Sequence, residues 1–281
     1  MGQILKRLQE LDPVCRGLGG TSSSQNSNGF PDLSQLPPEL GLAILSHLNP
    51  TDLCLAACVW QNLANDELLW HDLCKSVWGY VSVYSHCRHA IGFSYRRMFL
   101  QLDEASLTFN GDPFEGVEYL IHYELVDDEP LEIAKFLHTA KNLLPEKKRE
   151  FLDRRRDVLA HLLKLQNFER MFLPNALRQF FAEISAPNDR DGFLAEVIDR
   201  FSDQFTSCNP SLGLSKDAVF LLCYSLIMLS VDLSSPHVKN KMSKREFIKN
   251  TCRATAEVSN DLAGHLYDNI YLIGHVAPQT S

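Results

Sequence analysis

The chain has 281 residues, of which 45% are hydrophobic and 22% charged, enough to bury one sizeable core and a smaller second one. Its formal net charge of −8 argues against broad nucleic-acid binding, because neutralising phosphates requires a basic face. The composition therefore predicts one large and one small domain, with proteins rather than nucleic acids as partners.

Cysteine usage and the length of the longest apolar run indicate the cellular compartment of the protein. The eight cysteines are scattered, without the density or pairing of a secreted disulfide framework, so we expect reduced thiols packed in the core. The longest nearly apolar run, residues 218–229, is too short to span a bilayer, and the N-terminus has no apolar signal segment. These features predict a soluble, cytoplasmic protein.

Residues 1–31 are expected to form a flexible leader. Residues 17–31 are rich in Gly, Ser and Asn and contain too little apolar surface to order themselves. Gly2 follows the initiating methionine and permits myristoylation, but Lys6 stands where the acylation signal prefers Ser or Thr. The sequence leaves lipidation undecided.

Residues 32–78 have the pattern of three short helices. The first carries an apolar residue at every fourth position, namely Leu36, Leu40, Ile44 and Leu48. Asn49 and Pro50 mark the start of the second, as a cap followed by a proline at the first helical position. The third covers residues 66–78. So short a segment cannot cover all of its large apolar side chains, so part of this surface is expected to dock on a partner.

Residues 79–112 show no sustained period and are expected to be a linker that packs through Phe93, Tyr95, Met98 and Phe99. Helical spacing then returns over residues 116–125, 131–139, 146–168, 173–184, 193–205, 216–229, 244–255 and 260–271. The run 218–229 is apolar nearly all round, which indicates a helix enclosed by its neighbours. The sequence therefore predicts an all-α protein with a helical domain over residues 113–275 and a tail over 276–281.

The segment LPPELGLAILSHLNPTDL (36–53), followed by WQNLANDELLWHDL (60–73), resembles the F-box. This resemblance implies a substrate-recruiting subunit of a Skp–cullin–F-box ubiquitin ligase. The residues that would face Skp are Leu36, Pro37, Ile44, Leu45, Leu48, Leu53 and Trp60. Between Asp52 and Trp60 the chain is about one helical turn shorter than the usual pattern. A plain helical subdomain, with its stripes as core, is the alternative.

Five later segments are similar to successive landmarks of the Sec-seven domain: GVEYLIHYELVDDEPLEIAKFL (116–137), FLPNALRQFF (172–181), CNP (208–210), LIMLSVDLSSPHVKNKM (226–242) and HLYDNIY (265–271). The resemblance implies a helical superhelix with an apolar groove that binds the switch regions of an ARF-type GTPase. The groove residues implied are Leu226, Met228, Leu229, Ser230, Leu233, Pro236 and Val238. Ser230 replaces an asparagine of the family, which removes an amide that both donates and accepts.

Nucleotide exchange in that family depends on an acidic finger in a Leu-Pro-Gly-Glu loop. The matching residues here are 186–189, so Asp189 is the candidate catalytic residue, and Asp191 takes the role in another alignment. Aspartate is one methylene, about 1.5 Å, shorter than glutamate, and charge-assisted contacts need about 2.7–2.9 Å. Weak exchange, or binding without exchange, follows from this difference. A solvated or helix-capping aspartate is the alternative.

Two further polar clusters carry weaker signals. His86, Cys87 and His89 lie close together without further ligands at zinc spacing, so no metal and no other cofactor is expected. A basic edge could face acidic residues of a GTPase, an anionic membrane surface, or solvent; its members are Lys239, Lys241, Lys244, Arg245 and Lys249.

Together these patterns predict a cytoplasmic adaptor, peripheral to the membranes where ARF proteins act. One end would bind Skp and a cullin ligase, and the other an ARF-family GTPase, so that the chain regulates ARF signalling. No cysteine stands in a recognisable nucleophile arrangement, so ubiquitin chemistry is expected from the partners. The alternative is an ARF guanine-nucleotide exchange factor whose turnover the F-box controls.

Overall fold

The computed structural model describes residues 32–79, 81, 92–186 and 192–276, and within these ranges all regular structure is helical. The predicted all-α class is confirmed. The N-terminal segment begins with a 3-10 turn, Leu33–Gln35, followed by α1 (Pro38–Leu45), α2 (Pro50–Ala56), α3 (Gln61–Ala64) and α4 (Glu67–Trp78).

Short polar caps set the helix starts of this segment. The Asn49 side chain accepts a hydrogen bond of 2.8 Å from the Asp52 N–H and so begins α2, with Pro50 at its first position. Asp66 caps α4 in the same way by accepting from the Leu68 N–H at 2.8 Å. The helix start predicted at Asn49 is therefore confirmed.

Ten helices form the larger, C-terminal domain within the described residues. They are α5 (Tyr95–Gly111), α6 (Pro113–His122), α7 (Pro130–Thr139), α8 (Pro145–Arg154), α9 (Arg156–Leu165), α10 (Leu173–Glu183), α11 (Phe193–Cys208), α12 (Lys216–Ser234), α13 (Lys244–Ala254) and α14 (Asn260–Ile273). Three of them begin on a proline. The N–H of the first helical residue has no acceptor within the helix, so a proline at this position costs no hydrogen bond.

Helix α5 occupies much of the segment that was expected to be a linker. Ser94 caps it, and it buries a stripe formed by Met98, Phe99, Leu102, Ala105, Ser106 and Phe109. The stripe has helical spacing, but the neighbouring Gly, Ser and Asn residues obscured it. Because α5 packs along α6, the boundary expected at residue 113 falls between two helices of one core. The C-terminal domain therefore starts with α5.

The helix expected over residues 146–168 is two helices, α8 and α9. Arg155 stands between them with φ −106° and ψ 65°, outside the helical region. Its guanidinium forms hydrogen bonds with Asp157 at 2.9–3.3 Å, and these hold the pKa of that carboxyl below its usual range. The local ion pair thus stabilises the break between the two helices.

Helix α12 is the hub of the C-terminal domain, as the sequence predicted. It packs against α10, α11, α13 and α14, and Ser215 caps its start. At 19 residues it extends beyond the apolar run seen in the sequence, and it is the one helix of the described residues long and apolar enough to cross a membrane. Its packing against four helices is that of a core helix.

An aromatic cluster joins the N-terminal segment to the C-terminal domain. Trp78 of α4 stacks on Phe136 of α7 with ring centroids 5.8 Å apart and planes 2° from parallel. Phe99 of α5 meets Trp78 and Trp70 edge-on, at 6.4 and 5.7 Å. These four rings are buried, and such aromatic pairs contribute beyond their buried area. We call this cluster the aromatic joint.

Polar contacts run alongside the aromatic joint. The Glu67 carboxylate accepts hydrogen bonds from the Ser94 hydroxyl at 2.6 Å and from the Tyr95 N–H at 2.7 Å, at the start of α5. The buried Cys74 thiol donates to the Tyr95 carbonyl at 3.3 Å, and burial beside Glu67 raises its pKa to about 12. Helix α4 therefore belongs structurally to both parts of the chain.

The cysteines are less uniformly buried than the sequence suggested. All six described cysteines are free thiols, and Cys74 and Cys223 are buried. Cys54, Cys208 and Cys252 are half-buried, and Cys58 is exposed. The expectation of core thiols therefore holds for two of the six.

The aromatic joint makes Trp78 a sensitive position. Trp78→Ala should lower the free energy of unfolding of the full chain by about 3–5 kcal/mol, because it opens a cavity between α4, α5 and α7. Trp78→Phe should cost clearly less, since it keeps a ring and removes an indole N–H that has no acceptor among the described residues. Urea unfolding measures both. Equal stability of Trp78→Ala and the native chain would contradict the stabilising role of the aromatic joint.

Candidate functional site

The outer face of α12 carries an apolar stripe. Met228 is 60% exposed and Leu221, seven residues earlier, is 37% exposed. Tyr224, Ser225 and Val231 lie on the same face at helical spacing and are half-buried. A stripe of this kind on the surface of a core helix is a candidate docking surface for a protein partner.

Three residues expected in the groove are core residues instead. Leu226, Leu229 and Ser230 are completely buried on the inward face of α12. The resemblance supplied a run of consecutive residues, whereas a helix turns successive side chains to different faces. Met228 is the member of that helical run that reaches the surface.

Ser230 has a structural role in this packing. Its hydroxyl donates to the Leu226 carbonyl at 2.8 Å and accepts from the Val276 N–H at 3.2 Å. Val276 is itself buried, so this contact ties the end of the described chain to the hub helix. The position at which serine replaces the family's asparagine is therefore buried on the inward face of α12.

The loop after α12 forms one wall beside the stripe. The Asp232 carboxylate accepts from the Met242 N–H at 2.7 Å, and Tyr267 donates its hydroxyl to the Met242 carbonyl at 3.0 Å. Lys241 donates to the Asp232 carbonyl at 2.7 Å and to the Ser235 carbonyl. These bonds hold the segment that contains the other expected groove residues: Leu233 and Val238, half-buried, and Pro236, exposed.

The two ends of the acidic loop are held by arginines. Arg149 of α8 donates to the Ala186 carbonyl at 3.1 Å, just before the loop. Arg156 of α9 pairs with Glu196 at 3.2 Å and lies over the Phe193 ring at 5.4 Å, just after it. Residues 187–191, including Asp189 and Asp191, lie outside the described residues.

The N-terminal segment presents a second apolar surface. Leu36, Pro37 and Ile44 are exposed as expected, and Ile44 retains 47% of its accessible area. Leu40, one turn before Ile44, is 54% exposed and belongs to the same face, although it was left out of the predicted Skp site. In the sequence, Leu40 is one of the apolar residues that recur at every fourth position, and this spacing indicates that it shares the face of Ile44. Leu55, Val59 and Leu68 are further exposed apolar residues that the motif did not mark.

Leu45 and Leu53, expected to face Skp, are buried instead. Leu45 points inward because α1 turns Gly41 and Leu45 towards the other helices while Leu40 and Ile44 face out, and Leu53 is one of the two buried residues of α2. Leu48 is half-buried. These side chains line a cavity of about 150 Å³ between α1, α2 and α4, whose lining is Leu45, Ser46, Leu48, Leu53, Leu69, Asp72, Leu73 and Ser76.

Trp60, the last residue of the expected Skp site, is half-buried and fixed by a side-chain hydrogen bond. Its indole N–H donates to Asp32 at 3.0 Å. Asp32 also accepts from the Ser34 N–H at 3.0 Å, and bonds to Ser34 and Trp60 lower the pKa of this carboxyl. Through this bond, Trp60 connects the start of α3 to the 3-10 turn at the beginning of the N-terminal segment.

Two weaker candidates lie outside the described residues: the cluster of His86, Cys87 and His89, and Gly2. Of the basic edge, Lys241 is engaged in the loop after α12, and Lys244 pairs with Asp268 of α14 at 2.6 Å.

The buried position of Ser230 generates a testable expectation. Ser230→Ala should lower the free energy of unfolding by about 1–3 kcal/mol, because the Val276 N–H loses its buried acceptor. Ser225→Ala is the matched control on the outer face of the same helix and should change stability by less than about 0.5 kcal/mol. Urea unfolding distinguishes the two. Equal effects of both variants would refute the core assignment.

Models of two known families match the two parts of the chain that carry the surfaces described above. The Sec7 domain model matches residues 99–272, which is more than half of the chain and begins within α5. The F-box-like model matches residues 33–76, which cover the N-terminal helical segment. Both resemblances drawn from the sequence are thereby confirmed.

Known proteins match the chain over the same regions. It is 59% identical over 261 residues to F-box only protein 8 of Bos taurus, across 92% of this chain and 82% of that protein. F-box only protein 8 of Homo sapiens is also 59% identical, over 258 residues, with 90% and 81% covered. Cytohesin-2 of Mus musculus is 31% identical over 172 residues, with 58% and 42% covered.

Solved structures agree with this assignment of the C-terminal domain. The crystal structure of the Sec7p catalytic domain superposes with a TM-score of 0.54 at 28% identity, covering 60% of this chain and 95% of that one. A structure of ARF1-GDP bound to a Sec7 domain complexed with brefeldin A gives 0.57 at 22% identity, covering 64% and 94%, which supports the fold alone. The chain belongs to the Sec7 domain family, carries an F-box-like segment ahead of that domain, and is a relative of F-box only protein 8.

Proposed function

We propose that this chain is a substrate-recruiting adaptor of a Skp–cullin–F-box ubiquitin ligase. Its F-box-like segment binds the Skp adaptor, and its Sec7 domain binds an ARF-family GTPase, so that the GTPase or a protein beside it is brought to the ligase and ARF signalling is regulated. The adaptor works in the cytoplasm, at the membranes where ARF proteins act.

One observation carries this proposal: two separate exposed apolar surfaces lie on parts of the chain that the aromatic joint holds together. The first consists of Leu36, Leu40 and Ile44 on the F-box-like segment. The second is the stripe of Leu221, Tyr224 and Met228 on α12. Contiguous exposed apolar residues are typical of protein-binding sites, and a protein with two such surfaces can bridge two partners.

The relatives support the choice of partners. The relatives that match most of this chain are named F-box only protein 8, after the F-box. ARF1 is the protein bound to a Sec7 domain in one structure that shares this fold. In the present chain, α12 has an apolar outer face. Beside it lies the loop after α12, which hydrogen bonds of Asp232 and Lys241 hold in place.

An exchange enzyme is the second candidate, favoured by the acidic loop whose ends Arg149 and Arg156 hold. A carboxylate there would act by repelling the β-phosphate and pairing with its lysine. Relatives named guanine nucleotide-exchange proteins, such as Brefeldin A-inhibited guanine nucleotide-exchange protein 2 of Arabidopsis thaliana, are 32% identical over 166 residues. GDP release from purified ARF decides between the candidates. Little stimulation supports an adaptor, whereas strong stimulation lost in Asp189→Ala supports an exchange factor.

The Skp surface is tested with residues whose loss does not disturb the core. Leu36→Ala combined with Ile44→Ala should weaken binding of purified Skp strongly, because each large apolar side chain contributes about 1.5–3 kcal/mol when it is buried in the complex. Leu107→Ala on α5 removes a similarly exposed leucine and should leave Skp binding unchanged. Undiminished co-purification of Skp with the double variant would rule out this surface.

The ARF surface is tested at Met228. A lysine there is tolerated by the fold, since the side chain is mostly exposed, but it places a charge in the proposed interface. Met228→Lys should weaken ARF binding by roughly 30-fold or more, the effect of losing an interface hot spot. Leu212→Lys, an exposed leucine in the turn before α12, is the matched control. A folded Met228→Lys variant that binds ARF normally would remove α12 from the interface.

A further inference from the structure

The C-terminal end of α14 exposes three consecutive large apolar residues. Tyr271, Leu272 and Ile273 have 66%, 76% and 67% of their surface accessible, and together they form what we call the α14 tip. Exposed apolar residues are common when single, but a contiguous group marks a binding surface. Neither the F-box surface nor the stripe on α12 includes these residues.

Contacts of α14 with α13 show what the tip lies beside. The Tyr271 ring stacks on Tyr267 at 6.1 Å, and Tyr267 in turn bonds to the Met242 carbonyl at 3.0 Å. Leu272 follows Asp268 by one helical turn on the same face, and Asp268 pairs with Lys244 at 2.6 Å. Tyr271 and Leu272 are therefore on the side of α14 that faces the loop before α13.

That loop and the first turns of α13 are basic. Residues 239–249 contain five lysines and arginines and one acid, whereas the whole chain has a net charge of −8. Lys239, Arg245 and Lys249 are exposed. The helix that ends in the α14 tip thus packs against a locally basic segment of a chain that is otherwise acidic.

We propose that the α14 tip, together with the exposed Lys239, Arg245 and Lys249 of the neighbouring loop and α13, binds the surface of an anionic membrane. Aromatic and aliphatic side chains at a helix end insert into the boundary between headgroups and acyl chains, while flanking lysines and arginines attract anionic headgroups. The remaining surface of an acidic protein is repelled by such a membrane, so the charge distribution also orients the chain. This contact does not depend on Skp or ARF binding.

Vesicle co-sedimentation of the purified full chain tests the proposal, with protein produced in a host that does not myristoylate Gly2. The chain should bind vesicles of phosphatidylcholine mixed with phosphatidylserine and bind pure phosphatidylcholine much less. Binding should fall as salt is raised, because the Debye length shortens from about 10 Å at 0.1 M to about 3 Å at 1 M.

Two variants and two matched controls separate the apolar and the basic contributions. Tyr271→Ser with Leu272→Ser should reduce binding roughly tenfold or more. Lys239→Glu with Arg245→Glu should reduce it roughly 20-fold or more on the anionic vesicles. Leu107→Ser removes an equally exposed leucine, and Lys75→Glu with Lys164→Glu changes the net charge equally elsewhere. Both controls should bind like the native chain.

Circular dichroism checks that each variant keeps its helices. The proposal is overturned if the native chain ignores anionic vesicles, or if the controls lose binding as much as the test variants do. It is also overturned if the α14 tip variants bind vesicles normally but lose a protein partner in a pull-down with Skp or ARF, since the tip would then be a protein-docking surface.

Discussion

The arrangement of the two parts of the molecule depends on the stacking of Trp78 on Phe136. Phe99 packs edge-on against Trp78 beside this pair. The stacking places the last helix of the F-box-like segment in the core of the Sec7 domain, and Glu67 reinforces it by binding the start of α5. Buried aromatic rings are large and leave few alternative packings. The two exposed apolar surfaces are consequently parts of one body, which would give the proposed bridging function a fixed geometry.

The hub helix α12 divides its residues between the core and an exposed apolar stripe. One face is buried against four helices and includes Leu226, Leu229 and Ser230, and the other leaves Met228 accessible. The polar bonds around Asp232 and Tyr267 hold the following loop, so that the wall beside the stripe is ordered before any partner arrives. Preorganisation of this kind lowers the entropic cost of binding.

The α14 tip adds a third surface with a different chemistry. The stripe on α12 and the F-box surface are apolar faces suited to proteins, whereas the tip adjoins lysines and arginines within an acidic chain. The weak membrane contact that we propose there would raise the local concentration of the proposed membrane-associated GTPase partner at the α12 stripe without forming any new contact with it.

The sequence by itself determined the helical class, both families, the capped start at Asn49 and the central position of α12, because periodicity, caps and ordered motifs are local signals. The tertiary structure decided which motif residues face outward. Leu45 stands next to the exposed Ile44, and Leu226 and Ser230 each lie two residues from the exposed Met228, yet all three turn into the core, since each helical position points in its own direction. It also decided that α5 belongs to the Sec7 domain and that α4 is shared, because packing between distant segments leaves no local signal in the chain.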